Sequence, residues 1–523
     1  MTISSSKTNI TCISAATVAT VATVTALLAW KYPDRAVFHE HRTGLIDLKG
    51  TPILGNLPSM VKNLNRFYDY LIDNYEKLNI MTFRTTAFLM PSLIFTADPR
   101  NVQHILKDNF EGYVKGTVFD YMMHDLLGEG IFNSDGDRWR IQRKTASQIF
   151  HVKNFRDKFT LVFIDEINLA SREIFDKAAI SGEVIDFHDI MLRFSMDSFA
   201  ELGFGVKLDS LLKRAEFADS FDALQLHSFN RSIIPCIDTY ELVKHYLTYW
   251  SKKKSMKQHL ETVNAFAERL IKERREEEKA DKLEDIKYKK GDLLSRFMRS
   301  ASFTGRTLDD AELRDTILNF IIAGRDTTAQ ALSWTFYQLM LFPEIQEKVY
   351  AEVQEFITKE VEADPPRLYS VIQKMVYSHA VLYEVLRLYP SVPGNQKEAV
   401  KDDIWPDGTK ILKGDQVAWQ SYCQGRLTKI WGADAKEFKP ERWISKTNGS
   451  LLRISPFQWS VFNAGPRVCL GQNLAVLEAL VAISLLVKRY KFHQVFGHKV
   501  EILNLVTLSM KNGLKITVEK RKP

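Results

Sequence analysis

Phe462-Asn463-Ala464-Gly465-Pro466-Arg467-Val468-Cys469-Leu470-Gly471 leads directly into a helix-forming, apolar stretch from Gln472 to Tyr490. Gly465 and Pro466 permit a tight turn, because glycine reaches backbone conformations closed to other residues and proline pre-sets one dihedral. Such a turn aims backbone N–H groups at the Cys469 sulfur. Those donors, with the N-terminus of the helix that follows, stabilise a thiolate and lower its pKa. The plain alternative is a buried structural cysteine at a helix start, the usual fate of an isolated cysteine. The form F-x-x-G-x-R-x-C-x-G is far more specific than one cysteine, and it points to a sulfur with a chemical task.

The rest of the chain is compatible with such a task. Its 523 residues are 45% hydrophobic and 26% charged, an ordinary globular balance with room for a core that encloses a bulky cofactor. Length alone admits two or three domains or a single large one. No internal repeat or Gly/Ser-rich linker divides the body. Cys12, Cys236, Cys423 and Cys469 lie far apart and form no CxxC pair. That excludes a disulfide framework and a zinc or dithiol site, and favours a reducing compartment. The net charge of +7 is mild. Without a stacking or basic-helix motif it argues against nucleic acid, and it fits an acidic protein or an anionic membrane surface.

Residues 10–30 carry no charge, with Lys7 before them and Lys31, Arg35 and Arg42 after. The segment is long enough to cross a bilayer, so a transmembrane helix is expected there. By the distribution of basic residues, 1–9 would be lumenal and the remainder cytosolic. A cleaved signal peptide is the alternative reading of the small residues, and a mitochondrial presequence is disfavoured because no arginine precedes Arg35. A charged, proline-rich linker follows over 31–58, with Thr51-Pro52-Ile53-Leu54-Gly55-Asn56-Leu57-Pro58 read either as a rigid elbow or as a simple loop. The body is then 59–523.

Apolar periodicity predicts helices over Arg138–Phe150, Leu161–Lys177, Asp189–Phe204, Asp309–Leu341, Pro343–Thr358, Lys374–Leu388 and Gln472–Tyr490. Short alternating or apolar runs at Ile80–Arg84, Pro91–Thr96 and Lys515–Glu519 predict strands. The run of charges from Ala267 to Asp292 reads as solvated helix ends and loops. The expected class is mainly α with small β-sheets.

The cysteine loop resembles that of cytochrome P-450 enzymes, and distant stretches match the same family in order from about Pro52 to Leu514. The resemblance implies the P-450 fold, with haem b lying between a long central helix and the cysteine loop with the helix after it. Cys469 would then be the thiolate ligand of the iron. Phe462 would pack under the ring, Gly465 would shape the turn, Gly471 would let the macrocycle approach, and Arg467 would pair with a propionate. Trp139 and Arg143, spaced i,i+4 on one helix face, would also meet a propionate, and Lys397 is a further candidate for that contact. Arg138, Arg140 and Lys144 would form a docking face for an acidic redox partner, unless they are simply a solvated basic face.

On the central helix, Ala323-Gly324-Arg325-Asp326-Thr327-Thr328 would leave a groove for oxygen at its small residues. Ala323 would line the substrate pocket, and the pair Asp326 and Thr327 would deliver protons. The Thr327 hydroxyl can also bond to its own helix and bend it. Glu384 and Arg387 share a helix face. Alone they would read as a surface ion pair of little weight, whereas the resemblance implies a buried structural pair locked to Arg442 of Pro440-Glu441-Arg442-Trp443. The turn Thr507–Leu514, with Leu508, would reach the substrate.

The implied reaction inserts one atom of O2 into a C–H bond, the other leaving as water. Electrons must come from outside, because the chain has no Gly-rich phosphate loop, flavin domain or ferredoxin-like cysteine set. The implied donor is a membrane-bound NADPH reductase in the endoplasmic reticulum membrane, with cytochrome b5 as an additional partner. A haem-thiolate hydroperoxide isomerase or dehydratase is one rival, disfavoured by the acid–alcohol pair; a haem-binding electron carrier is another. The wording AGRDTTAQALSW, IWGADAKEFKPERW and FNAGPRVCLGQNLA is similar to that of plant and fungal fatty-acid ω-hydroxylases. That favours fatty acids or alkanes as substrates, with sterols, terpenoids or xenobiotics as the alternative. Apolar residues between Phe204 and Trp250 read as core or as channel lining, with core favoured.

Overall fold

A capping box starts the helix on which the molecule is built. The Asp309 carboxylate accepts from the Glu312 N–H at 2.8 Å, and the Glu312 carboxylate accepts from the Asp309 N–H at 3.2 Å. Two orphan donors at the helix start are thereby satisfied. The helix runs from Asp310 to Ile321, passes through one π turn at Ile322–Asp326, and continues from Thr327 to Leu341. π turns of this kind occur mostly at functional positions. In the computed structural model, residues 4–148, 155–214, 216–247, 254–283, 292–299 and 308–522 are described.

A second core helix, Gln472–Arg489, is buried on all sides from Val476 to Val487, as an all-round apolar helix must be. It packs against the Thr327–Leu341 segment. The helices Phe187–Phe199 and Val376–Leu388 also pack on that segment. Most expected helices are present within a few residues. The end of the one expected to reach Phe150 lies outside the described residues, and the helix is seen over Gly136–Ser147. Two others contain a π turn, at Ser171–Phe175 and Ala200–Phe204.

A five-stranded sheet lies to one side, in the order Thr82–Thr85, Leu93–Thr96, Gln416–Trp419, Asn395–Ala399, Tyr113–Val114. Phe83 pairs with Phe95, Ile94 with Val417 in the one parallel ladder of this sheet, and Lys397 with Val417. A hairpin, Ile502–Asn504 with Leu508–Met510, returns the C-terminal chain to the central helix. The class is mainly α with small sheets, as expected.

Two expectations are corrected. As far as Leu283, the charged run from Ala267 is part of one continuous helix, Met256–Leu283, rather than a set of helix ends, and residues 284–291 lie outside the described part. Val263, Ala267, Leu270, Ile271 and Arg274 form its buried stripe, and stripes of i,i+3,i+4 spacing are easily hidden among charges. The second correction concerns the front of the chain. Ser4–Lys31 is a single helix, but among the described residues no helix is long and apolar enough to cross a membrane. Thr17, Thr20, Thr23 and Thr25 place a hydroxyl at nearly every turn, and alanine adds little hydrophobicity. The transmembrane anchor over 10–30 is therefore withdrawn. The lumenal and cytosolic assignment and the endoplasmic-reticulum membrane placement that rested on it go with it.

After this helix the chain packs onto the first strand. Gly55 (φ +61°) has no room for a Cβ, which would lie 2.3 Å from the Thr86 carbonyl oxygen. Asn56 exchanges hydrogen bonds with the Thr86 backbone at 2.6 and 3.0 Å. The Pro-Gly stretch is thus tied to the body at the sheet edge.

Candidate active site

The cysteine loop is two short 3-10 turns, Ser460–Phe462 and Gly465–Arg467, set before the Gln472–Arg489 helix. The Cys469 N–H donates to the Phe462 carbonyl at 2.8 Å and closes the loop. Gly465 takes φ +63°, and a Cβ there would lie 1.9 Å from the Leu106 carbonyl oxygen. The glycine is needed for its dihedral and for this approach together. Cys469 is accessible to a water-sized sphere although protein surrounds it, so its sulfur lines an internal cleft. Phe462 lies in the same loop, half-buried and edge-on to Trp459 at 5.8 Å. Burial pushes the Cys469 thiol up, while the Gly471 N–H and the Arg143 charge pull it down. The expected lowering by loop donors is present but is outweighed by desolvation. A thiolate at this position would therefore need a cation close to it. No side chain crowds the space above Gly471, where a Cβ would meet nothing nearer than the Cys469 sulfur at 3.9 Å.

Beside the loop lies a group of buried and half-buried basic side chains. Arg467 donates to the Ser134 carbonyl at 2.8 Å and to Asp135 at 2.7 Å. Its guanidinium lies 4.5 Å over the Trp139 ring, and its Nε is buried without a partner. Arg143 donates to the Val468 carbonyl at 2.8 Å and lies 5.8 Å from the same ring. Lys397 donates to the Tyr113 carbonyl at 2.7 Å over the Phe110 ring. Lys115 sits 3.9 Å over Phe119. Burial, and then the Arg467 charge, push both lysines down to about 7. Trp139, Arg143, Arg467 and Lys397 are brought together as the sequence suggested. Lys115 was not anticipated, because a lone lysine before a glycine carries no motif. Arg138 and Arg140, by contrast, are exposed and already paired with Glu129, and with Glu111 and Asp137.

Within the otherwise buried π-turn region of the central helix, Ala323, Gly324 and Thr327 keep partial exposure. Ala323 and Thr327 share one face by their i,i+4 spacing, and the Thr327 hydroxyl donates to the Ala323 carbonyl at 2.6 Å. Asp326 is buried. It accepts from Arg325 at 2.8 Å and from Gln225 at 2.9 Å, and Arg325 also reaches Asp222 at 2.9 Å. Burial holds the Asp326 carboxyl well above the usual carboxylate range, against the Arg325 charge. Gln225 and Asp222 lie on the helix Glu216–Arg231, and no sequence spacing links them to Asp326.

Gly324 has a different reason from the one expected. Its Cβ would lie 2.1 Å from Phe199 Cδ2 and Cγ, so its bareness serves packing against the Phe187–Phe199 helix. Alanine would gain up to about 1 kcal/mol of helix propensity and lose about 1–3 kcal/mol to overpacking. Gly324→Ala should therefore lower the melting temperature in a thermal unfolding scan; a rise would mean that Phe199 moves aside freely.

Glu384 and Arg387, both fully buried, are joined by two 2.7 Å bonds, and Arg442 reaches Glu384 at 3.3 Å. Leu508 is fully buried, with its N–H on the Ser391 carbonyl and its carbonyl on the Trp334 indole. Of the apolar residues after Phe204 that read as core or channel, Phe217, Phe221, Leu224 and Ile233 are buried in the core, whereas Leu212, Tyr240, Leu242 and Val243 are exposed.

Residues 47–517 match the sequence profile of the family described as cytochrome P-450. The chain belongs to the cytochrome P-450 family. It is 36% identical to cytochrome P-450 704B1 of Arabidopsis thaliana over 92% of this chain and 97% of that protein. It is 34% identical to alkane hydroxylase MAH1 of the same plant, over 91% and 93%. Cytochrome P-450 monooxygenase cyp1 of Mycosarcoma maydis is 33% identical over 95% of this chain and 79% of its own length. The protein is a haem-thiolate monooxygenase that uses O2, a lipophilic substrate and electrons from NADPH through a reductase. The cleft fits haem. An enclosed, accessible thiol stands beside four basic side chains, Lys397 buried and Lys115, Arg143 and Arg467 half-buried, and the Arg467 Nε lacks a partner, which suits a ring bearing two carboxylates and one metal.

Proposed function

We propose that Cys469 is the thiolate ligand, that Arg467, Arg143, Lys397 and Lys115 hold the propionates, and that Asp326 and Thr327 carry protons for terminal or near-terminal hydroxylation of fatty acids or alkanes. The observation that carries the cofactor assignment is the gathering of two arginines and two lysines on Trp139, Phe110 and Phe119 beside the accessible Cys469 thiol. Haem, when bound, supplies the site at which O2 is reduced and one of its atoms is inserted. The chain's own residues do the rest. Trp139, between Arg467 and Arg143, fixes the angle of both guanidinium groups. Phe462 keeps water from the sulfur, and Gly465 sets the loop against the Leu106 backbone.

Thr327 holds its hydroxyl on the exposed face of the π turn, where a proton can be passed to the reacting oxygen. Asp326 is a carboxyl kept protonatable near neutral pH by burial, and its Arg325 and Gln225 bonds hold it ready behind Thr327. The alkane substrate named for the Arabidopsis relative and the motif wording together support a long-chain aliphatic substrate.

Thr327→Ala should raise hydrogen peroxide release at the expense of product per NADPH. Asp326→Asn should slow product formation by about 10²-fold, the scale of one acid–base group. Full coupling in Thr327→Ala would remove the proton role. Incubation of the protein and a reductase with a mixed lipid panel, followed by mass analysis, tests the substrate. Products without any oxidised acyl or alkyl chain would overturn that part.

A further inference from the structure

Ser391 lies in the loop between the Val376–Leu388 helix and the Asn395–Ala399 strand, and it is part of a closed ring of hydrogen bonds. Its hydroxyl donates to the Thr327 carbonyl at 2.7 Å. Its carbonyl accepts from the Leu508 N–H at 2.9 Å. The Leu508 carbonyl accepts from the Trp334 indole N–H at 2.9 Å, and Trp334 is two turns along the same helix from Thr327, on the same face. Trp334 in turn stacks on Tyr389, two residues before Ser391, at 4.3 Å and 7°.

His188 closes the next position. Its Nδ1 lies 3.0 Å from the Ser333 hydroxyl and its Nε2 3.1 Å from the Ser509 hydroxyl. The Ser333 hydrogen is already given to the Ala329 carbonyl at 2.7 Å. His188 therefore donates from Nδ1 and accepts from Ser509 at Nε2. The strand beginning at Leu508 is thus held to the central helix at two successive residues, and Leu505–Thr507 is the turn leading into it.

A loop that only needed anchoring would be held by apolar packing, which is abundant here. This one is fixed by a directional bond to the backbone of Thr327, whose side chain lies on the partly exposed side of the central helix beside Ala323. We propose that Ser391 is a positioning residue: it sets the register between the substrate-facing turn and Thr327, and so decides which carbon of a bound chain meets the reacting oxygen. The proposal rests on the reading of Thr327 and of the Leu508 turn given above.

The test uses the full-length enzyme with its reductase, and dodecanoic acid and hexadecane as probes. It reads the ratio of hydroxylation positions, the product per NADPH, and the hydrogen peroxide released without added lipid. Ser391→Ala should change the position ratio by about fivefold, the factor to which one neutral hydrogen bond converts. It should also raise peroxide release, with the reduced CO spectrum as in the parent enzyme and the melting temperature lower by about a few degrees at most. Ser391→Thr, which keeps the hydroxyl, should restore both. Trp334→Phe keeps an aromatic ring against Tyr389 while it removes the donor to Leu508 and some buried volume, and should shift both readouts in the same direction; it decides the matter if Ser391→Ala does not fold. Unchanged ratios and peroxide release in the variants, or failure of threonine to restore what alanine changed, would overturn the proposal. If the parent enzyme oxidises neither probe, the aliphatic substrate assignment falls, and peroxide release still decides on Ser391.

Discussion

Cys469→Ala is expected to reduce turnover to background and to remove the red-shifted Soret band that a thiolate-ligated haem gives when reduced under CO. The reason this variant isolates the chemistry is local. The bond that closes the loop comes from the Cys469 backbone N–H to the Phe462 carbonyl, which alanine keeps, and the Gly465 turn is independent of the side chain. The cation group at Lys115, Lys397, Arg143 and Arg467 is untouched as well. A folded protein that binds haem weakly, or binds it without the thiolate band, is therefore the expected product. An unchanged band would place the ligand elsewhere, and the alternatives are poor. Cys423 is fully buried, donates to the Tyr68 carbonyl and has its thiol pushed far up by burial. Cys236 is exposed on the outer part of the chain at φ +58°.

The cysteine loop could be read in the sequence because its constraints are local: a turn, a cap and a sulfur within ten residues. The same holds for the central helix, whose long apolar periodicity from Asp309 to Leu341 is written in consecutive residues. What could not be read was long-range. Lys115 joins the cation group only because the Tyr113–Val114 strand pairs with Asn395–Ala399. Gln225 and Asp222 meet Asp326 and Arg325 across a helix contact with a separation of about a hundred residues. Ser391 was passed over because a serine in a Pro-Ser-Val-Pro loop has no signature of its own.

Two errors have a common origin in judging a segment by residue type alone. Gly324 was assigned to the oxygen groove because it is small, yet its missing side chain faces Phe199; smallness does not tell which side of a helix is crowded. The N-terminal stretch reads as a membrane span because it is long and uncharged. Absence of charge is weaker than presence of hydrophobicity, and its threonines and alanines supply little of the latter.

Glu384→Ala is the second substitution with a large expected effect, and here the consequence falls on the fold. Glu384 is fully buried and receives two bonds from Arg387, one from Arg442 at 3.3 Å, one from the Trp443 indole at 2.9 Å and one from the Lys439 N–H at 2.9 Å. Arg387, equally buried, spends its other donors on the carbonyls of Gly425, Ala435 and Glu437. Removing the carboxylate leaves the Arg387 charge without its counter-ion in the interior, a loss of about 3–5 kcal/mol against a net stability for a domain of about 5–15 kcal/mol. Because the pair is shielded from solvent, added salt should not change the loss. The same carboxylate ties the Val376–Leu388 helix to the Pro440–Trp443 turn, and the Trp443 ring lies 4.9 Å from Trp459, the residue just before the Ser460–Phe462 turn of the cysteine loop. Failure should therefore spread to haem retention. The measurement is the melting temperature and haem content of Glu384→Ala beside Glu384→Gln. Glutamine keeps an acceptor for Trp443 and the Lys439 N–H but not the charge, so it should fall between alanine and the parent protein. Should Glu384→Ala melt with the parent protein and keep its haem, the pair would be incidental to the fold. Equal loss in both variants would show that the charge, rather than the set of hydrogen bonds, holds these segments together.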